Sequence, residues 1–288
     1  MTIGVASVAV SQPSRLWLAF SRNPLFWLGA LLLAIIIVVA VFAPLIAPHD
    51  PLEQNIVARL EPPSAEFLFG TDNYGRDVLS RLIYGARVSL MVGFVAILIA
   101  MTIGCTIGIV AGYVGGALDQ LVMGGLDVLL SFPALLLGLM IAAMLGASLQ
   151  NLIIAIAITE IAPFARVARA PTIALKQQDF VIAGRALGFG PVRIMGVHIL
   201  PNLISDVVVM SSLWMASAIR TEASLSFIGL GVPPPTPTWG SMIREGFDIL
   251  DAWWLAVFPS LAILVTVLAL NLLGDALRDA IDPKLRGE

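Results

Sequence analysis

Three carboxylates interrupt long apolar stretches of this chain: Asp127, Glu160 and Glu222. A carboxylate is costly to hold in hydrocarbon, so each marks either a path for polar solutes or a bond between helices. Glu160 lies deepest in its run and reads equally as a polar wall of a translocation path and as a carboxyl group bonded between helices. Asp127 falls nearer the end of its run. Glu222 stands two positions from Arg220, a neighbour that would offset its charge. Glu160, Asp127, Glu222 and Arg220 are therefore the candidate path residues.

Other chemistries find little support. The two histidines, His49 and His198, fall on opposite sides of the membrane in the topology argued below, and no His-Glu-x-x-His pattern occurs. Cys105 is the single cysteine, which excludes an intramolecular disulfide and a thiolate zinc cluster and leaves a small packed residue. A phosphate-binding loop must end in Gly-Lys-Ser/Thr, yet Lys176 follows Leu175 and Lys284 follows Pro283. No ATPase site, resident cofactor or metal is expected in this chain, so hydrolysis, if used, belongs to another. A net charge of -3 without a basic stripe gives no reason to expect a nucleic-acid partner.

The elements that carry these residues follow from composition. Hydrophobic residues make up 59% of the chain and charged ones 12%, about half the charged fraction of a soluble protein. Residues 23–48, 88–118, 128–159 and 252–274 contain no Asp, Glu, Lys or Arg, and each run can cross a bilayer core at about 1.5 Å per residue. They lack the alternation of barrel strands, so the backbone must satisfy itself as helix. The expectation is an all-α polytopic membrane protein with six transmembrane helices: 25–46, 88–113, 121–145 with Pro133 inside, 152–170, a shorter and weaker 203–219, and 254–273. Gly104, Gly108 and Gly112 fall on one face of the second, which predicts close helix contact.

Even parity puts both termini on one side. That side holds ten Lys and Arg residues, from Arg15 and Arg22 through Arg166, Arg169, Lys176, Arg185 and Arg193 to Arg278, Lys284 and Arg286. The other holds five, Arg59, Arg76, Arg81, Arg87 and Arg244, so the termini are expected in the cytoplasm. The organisation expected is a cytoplasmic tail at 1–22 without a cleaved signal, a first helix at 23–47, an external segment at 48–86, and a five-helix core at 87–286. Within the core lie a cytoplasmic loop at 174–202, between the fourth and fifth helices, and an external segment at 229–251. In the latter, Pro233 and Pro234 precede Trp239 and suggest a rigid gate, the alternative being a linker.

The cytoplasmic loop reads as two short helices, the first capped by Asp179 and ended by Gly188 and Gly190, the second begun by Pro191, with Pro201 before the next span. The first would expose Phe180, Val181, Ala183, Ala186 and Leu187, an apolar knob for a partner's groove or for the lipid surface. This loop, with its Gly188 to Pro201 spacing and its Ile199-Leu200-Pro201-Asn202 ending, resembles the coupling loop of binding-protein-dependent ABC importer permeases. Further stretches are similar to the C-type permease of dipeptide, oligopeptide and nickel importers: Ala43-Pro44-Leu45-Ile46-Ala47-Pro48, Phe69-Gly70-Thr71-Asp72, Gly75-Arg76-Asp77, Ser131-Phe132-Pro133, Glu222 through Gly231, Trp239-Gly240 and Asn271 through Asp275. The resemblance covers nearly all of residues 23–286.

It implies a permease subunit in a bacterial inner membrane, surrounded by membrane lipid, forming half of a path for di- or oligopeptides. A nickel chelate, glutathione or another small peptide is the alternative cargo. The implied partners are a homologous B-type permease, two ABC ATPase subunits carrying ATP and Mg, and an extracytoplasmic substrate-binding protein. The implied ATPase-coupling residues are Asp179, Phe180, Val181, Ala183, Gly184, Arg185, Ala186, Leu187, Gly188 and Pro201. One departure stands out: Ile182-Ala183-Gly184 replaces the family's usual Glu-Ala-Ala, so the acidic contact is missing. A carrier or channel working alone would need inverted repeats and buried ionisable residues, and no clear internal repeat is present. A membrane subunit that does not itself transport is a third reading.

Overall fold

The computed structural model describes residues 23–281; the tail with Arg15 and Arg22, and the end with Lys284 and Arg286, lie outside the described residues. Asn23 starts the first helix, its Oδ1 accepting from the backbone N–H of Leu25 at 3.0 Å and of Phe26 at 3.4 Å, with Pro24 in the first turn. Helix α1 (Pro24–Val41) gives way to a single helical turn, Ala43–Ile46, where Pro44 enters. Helix α1 leaves most of its surface uncovered and packs on α2 and on the last helix.

Helix α2 (Val78–Val114) starts at Asp77, whose carboxylate accepts from Ser80 N–H at 2.8 Å. That is well before the expected residue 88, because its first turns carry Ser80, Arg81, Tyr84 and Arg87, which lower the local hydropathy without ending the helix. A larger correction concerns the expected third span at 121–145. It is two short helices, α3 (Gly116–Leu130) and α4 (Ala134–Leu145), meeting at 89°. Pro133 has no N–H to give and cannot continue the preceding turn, so the chain bends there. Among the described residues, five helices are long and apolar enough to cross a membrane, six if the bent pair counts as one span.

Helix α5 (Leu149–Leu175) starts at Ser148, whose Oγ accepts from Asn151 N–H at 3.1 Å. It runs against α2 in the most extensive helix pairing of the fold. The glycine face of α2 makes this possible: a Cβ on Gly104 would sit 2.7 Å from Phe164 Cβ, one on Gly112 3.0 Å from Arg169 O, and one on Gly108 would strike the Ala165 carbonyl. The short α6 (Asp179–Ala186) follows, then a turn at Pro191–Arg193 and a widened one at Ile194–Ile199 leading into α7 (Leu200–Ile228). The fifth span is thus longer than the expected 203–219; Asp206, Arg220 and Glu222 dilute its hydropathy without breaking the helix. A reciprocal Thr238–Ser241 capping box starts α8 (Trp239–Phe247), and α9 (Trp254–Ile281) closes the fold. One apolar cluster joins α2, α5 and α7 and reaches α6, with Phe164 edge-on to Trp214 at 4.4 Å.

Candidate functional site

The loop after α5 is tied to three helices. Lys176 Nζ donates to Gly112 O at 2.9 Å, satisfying a carbonyl at the end of α2. Gln178, not Asp179, is the cap residue of α6; Asp179 occupies the first turn and makes no capping bond. Val181, expected on the exposed knob, is fully buried with Ile194 and Ile199 in the central cluster. Its burial follows from helix geometry: on an eight-residue helix lying on the bundle, one face must point inward. Gly184 is on that inner face, where a Cβ would come 3.2 Å from the Phe189 ring. Gly188, at φ +82°, reverses the chain so that Phe189 N–H bonds Gly184 O at 3.0 Å and its ring stacks on His198 at 5.8 Å. The Arg193 guanidinium lies 4.1 Å over Phe189, and that of Arg185 lies 5.0 Å over Tyr113 at the end of α2.

The outer face of α6 carries Phe180, Ile182, Ala183, Arg185 and Ala186, followed by Leu187 and Gly188, and Pro201 is exposed on the first turn of α7. Leu187 is 74% and Ile182 53% exposed. The result is an apolar tip on a short helix that is anchored through its other face.

The candidate path residues do not form one site. Glu160 is 5% exposed and faces Ser217 and Arg220 of α7. Asp127 pairs instead with Arg166 of α5 at 2.5 Å, both side chains exposed, and one helical turn away Arg169 grips Asp119 with two bonds of 2.5 Å. These four charges line a groove of about 560 Å³ between α3 and α5. Asp119, Arg166 and Arg169 were not foreseen as site residues; only the facing of two separate helices brings them together. Glu222 is a correction: it does not pair with Arg220. It is fully buried, its Oε1 accepts from Ser226 Oγ at 2.8 Å, and Ser89 and Thr238 also face it. Among the described residues, no donor reaches its Oε2 within hydrogen-bond geometry.

The expected gate does not gather either. Pro233 and Pro234 are exposed, whereas Trp239 is 2% exposed, donates from Nε1 to Leu82 O at 3.1 Å and packs over Gly85. Trp239 is an anchor that pins α8 to α2. The segment before α2 is similarly knit. Asp72 is fully buried between Arg76, at 2.7 Å, and Arg81, and Arg81 reaches on to Glu245 of α8 at 2.6 and 2.9 Å. Trp254 Nε1 donates to Thr71 O at 3.1 Å, adding α9 to this cap.

Residues 104–287 match the family profile described as binding-protein-dependent transport system inner membrane component, and residues 11–63 match that of the N-terminal TM domain of oligopeptide transport permease C. A di/tripeptide transport system permease protein of Pseudomonas aeruginosa is 44% identical over 96% of this chain and 93% of its own length. A glutathione transport system permease protein of Shigella flexneri serotype 5b is 47% identical over 94% of this chain and 90% of its own. A dipeptide transport system permease protein of Alkalihalophilus pseudofirmus is 41% identical over 96% and 92%. Among solved structures, a chain of the MetNI methionine ABC transporter in inward-facing conformations superposes with a TM-score of 0.57 at 17% identity, over 70% of this chain and 97% of that one. This last likeness concerns the fold.

Proposed function

From the premise that this chain belongs to the family of binding-protein-dependent transport system inner membrane components, we propose that it forms half of a translocation path for short peptides and takes its power strokes through α6. As a permease subunit of an ABC importer it works with ATPase and substrate-binding partners. In the arrangement proposed, a B-type permease supplies the other half, two ATPases holding ATP and Mg dock on residues 174–202, and a binding protein meets the outer cap. Both termini are then cytoplasmic. Short peptides are the proposed cargo because the relatives compared are named for di/tripeptides, dipeptides and glutathione, itself a tripeptide.

One observation carries the reading: α6 buries Val181 in the cluster shared by α2, α5 and α7 while exposing Leu187. A push on its outer face is therefore transmitted to three long helices. A lone amphipathic helix resting on lipid would have no need of that rigid inner anchorage. Ile182 in place of an acidic residue fits docking dominated by apolar contact.

The test is uptake of a labelled dipeptide into proteoliposomes holding the assembled importer. Uptake should require ATP, both ATPases and the binding protein, and Gly188→Arg, which places a bulky cation at the exposed turn, should leave ATP hydrolysis unresponsive to substrate. Uptake by this chain alone, without ATP, would favour a stand-alone carrier. Topology is read separately: in a Cys105→Ser background, Leu187→Cys should react with an impermeant thiol reagent only from the cytoplasmic side and Val57→Cys only from outside.

A further inference from the structure

Helices α1 and α2 line a crevice of about 620 Å³ that the residues above do not use. Leu33, Ile37 and Val41 form a stripe on α1, and Arg87, Met91 and Phe94 a stripe on α2, each at helical spacing and facing the other across the gap. Met215 of α7 closes the floor. Such an opening in a soluble protein would be filled by its own side chains. Here Val41 and Phe94 remain 61% and 57% exposed, so the crevice is open to whatever surrounds the helices, and around membrane spans that is hydrocarbon.

Its one charged lining residue is Arg87, at the end where α1 terminates. Arg87 is exposed and, among the described residues, has no carboxylate partner; its Cζ lies 5.8 Å from the centre of the Tyr84 ring. A guanidinium beside hydrocarbon is costly unless it meets water or an anion. Leu33 to Val41 spans about 12 Å of helix axis, most of the roughly 15 Å hydrocarbon depth of one leaflet. A single leaflet lipid therefore matches the crevice in both length and charge: a chain along the paired stripes, and an anion at the end where the cation stands.

We propose that this crevice holds a phospholipid, one acyl chain between α1 and α2 and its phosphate on the Arg87 guanidinium, whose planar fork suits two phosphate oxygens. Under the orientation proposed above, the lipid belongs to the outer leaflet. It fills the crevice between α1 and α2.

Two measurements on the full importer complex test this. In native mass spectrometry from mild detergent, the wild-type complex should retain a phospholipid that is lost with Arg87→Gln and with Val41→Trp, which fills the crevice, and partly kept with Arg87→Lys. Equal retention in wild type and Arg87→Gln overturns the proposal. Independently, and with Arg87 intact, a photoreactive benzophenone side chain in place of Phe94 should yield an adduct of phospholipid mass. An adduct to another protein chain would show that the crevice is a subunit interface and overturn the proposal even if Arg87→Gln prevents assembly.

Discussion

Asp72 shows what a buried charge costs once its partners are lost. It has no exposure and two arginines against it, Arg76 and Arg81, of which Arg81 is itself buried. Asp72→Ala would remove the buried carboxylate that Arg76 and Arg81 share and leave both with Glu245 alone, a loss of up to about 3–5 kcal/mol for a broken buried pair. Thermal unfolding of the purified complex should shift to clearly lower temperature. Asp127→Ala removes a pair whose side chains are both more than half exposed, worth at most ~1 kcal/mol in such a setting, so its melting temperature should barely move. The reverse ranking would mean that the outer cap does not hold α2, α8 and α9 together. The composition marked Asp127 and Glu222 as notable but not their partners. Two residues apart on a helix lie about 200° apart around its axis, so Arg220 and Glu222 point to opposite sides. Glu222 accordingly meets Ser226, one turn on, rather than the cation beside it in sequence.

At the scale of elements, the decisive contact is α2 against α5, and its glycines leave no room. A side chain at Gly108 collides with backbone, which cannot swing aside as a side-chain tip would, whereas a Cβ at Gly124 of α3 meets nothing within 4 Å. Gly108→Leu should therefore abolish assembly of folded permease, read as loss of the monodisperse peak in detergent gel filtration, and Gly124→Ala should leave it unchanged. Normal elution of Gly108→Leu would show that the two helices separate at little cost. That α2 offers a face for close contact was legible beforehand, because an interval of four between small residues is a local property; that α5 is the helix it meets was not. Nor was the bend between α3 and α4: Pro133 sits inside a run apolar enough to span, and a proline continues a membrane helix where neighbours satisfy the freed backbone and ends it where they do not. Here α3 ends at Leu130 and α4 begins at Ala134, with the exposed Ser131, Phe132 and Pro133 between them. Helix α7 was understated for a related reason, since hydropathy scores its polar residues without knowing that Ser226 bonds Glu222 one turn away.

For the whole molecule, the question is how a stroke at one end reaches the other. The buried cluster runs without interruption from Val181 and Ile194 near α6, through Phe164, to Leu225 near the C-terminal end of α7. Close-packed interiors transmit displacement rather than absorb it, so α6 and the ends of three helices should move as one body. Two substitutions separate docking from transmission. Leu187→Asp puts a charge on the exposed tip and should weaken ATPase attachment, lowering both hydrolysis and uptake and reducing the ATPase that copurifies. Val181→Ala leaves the tip intact but opens a cavity beneath it, at a cost of about 1–3 kcal/mol by analogy with other deletions of buried methyl groups. ATPases should still copurify and hydrolyse ATP, yet more ATP should be spent for each peptide imported. The ratio of phosphate released to peptide accumulated in the same proteoliposomes measures this directly. An unchanged ratio with Val181→Ala, alongside normal ATPase attachment, would place the transmission elsewhere than through the packed inner face of α6.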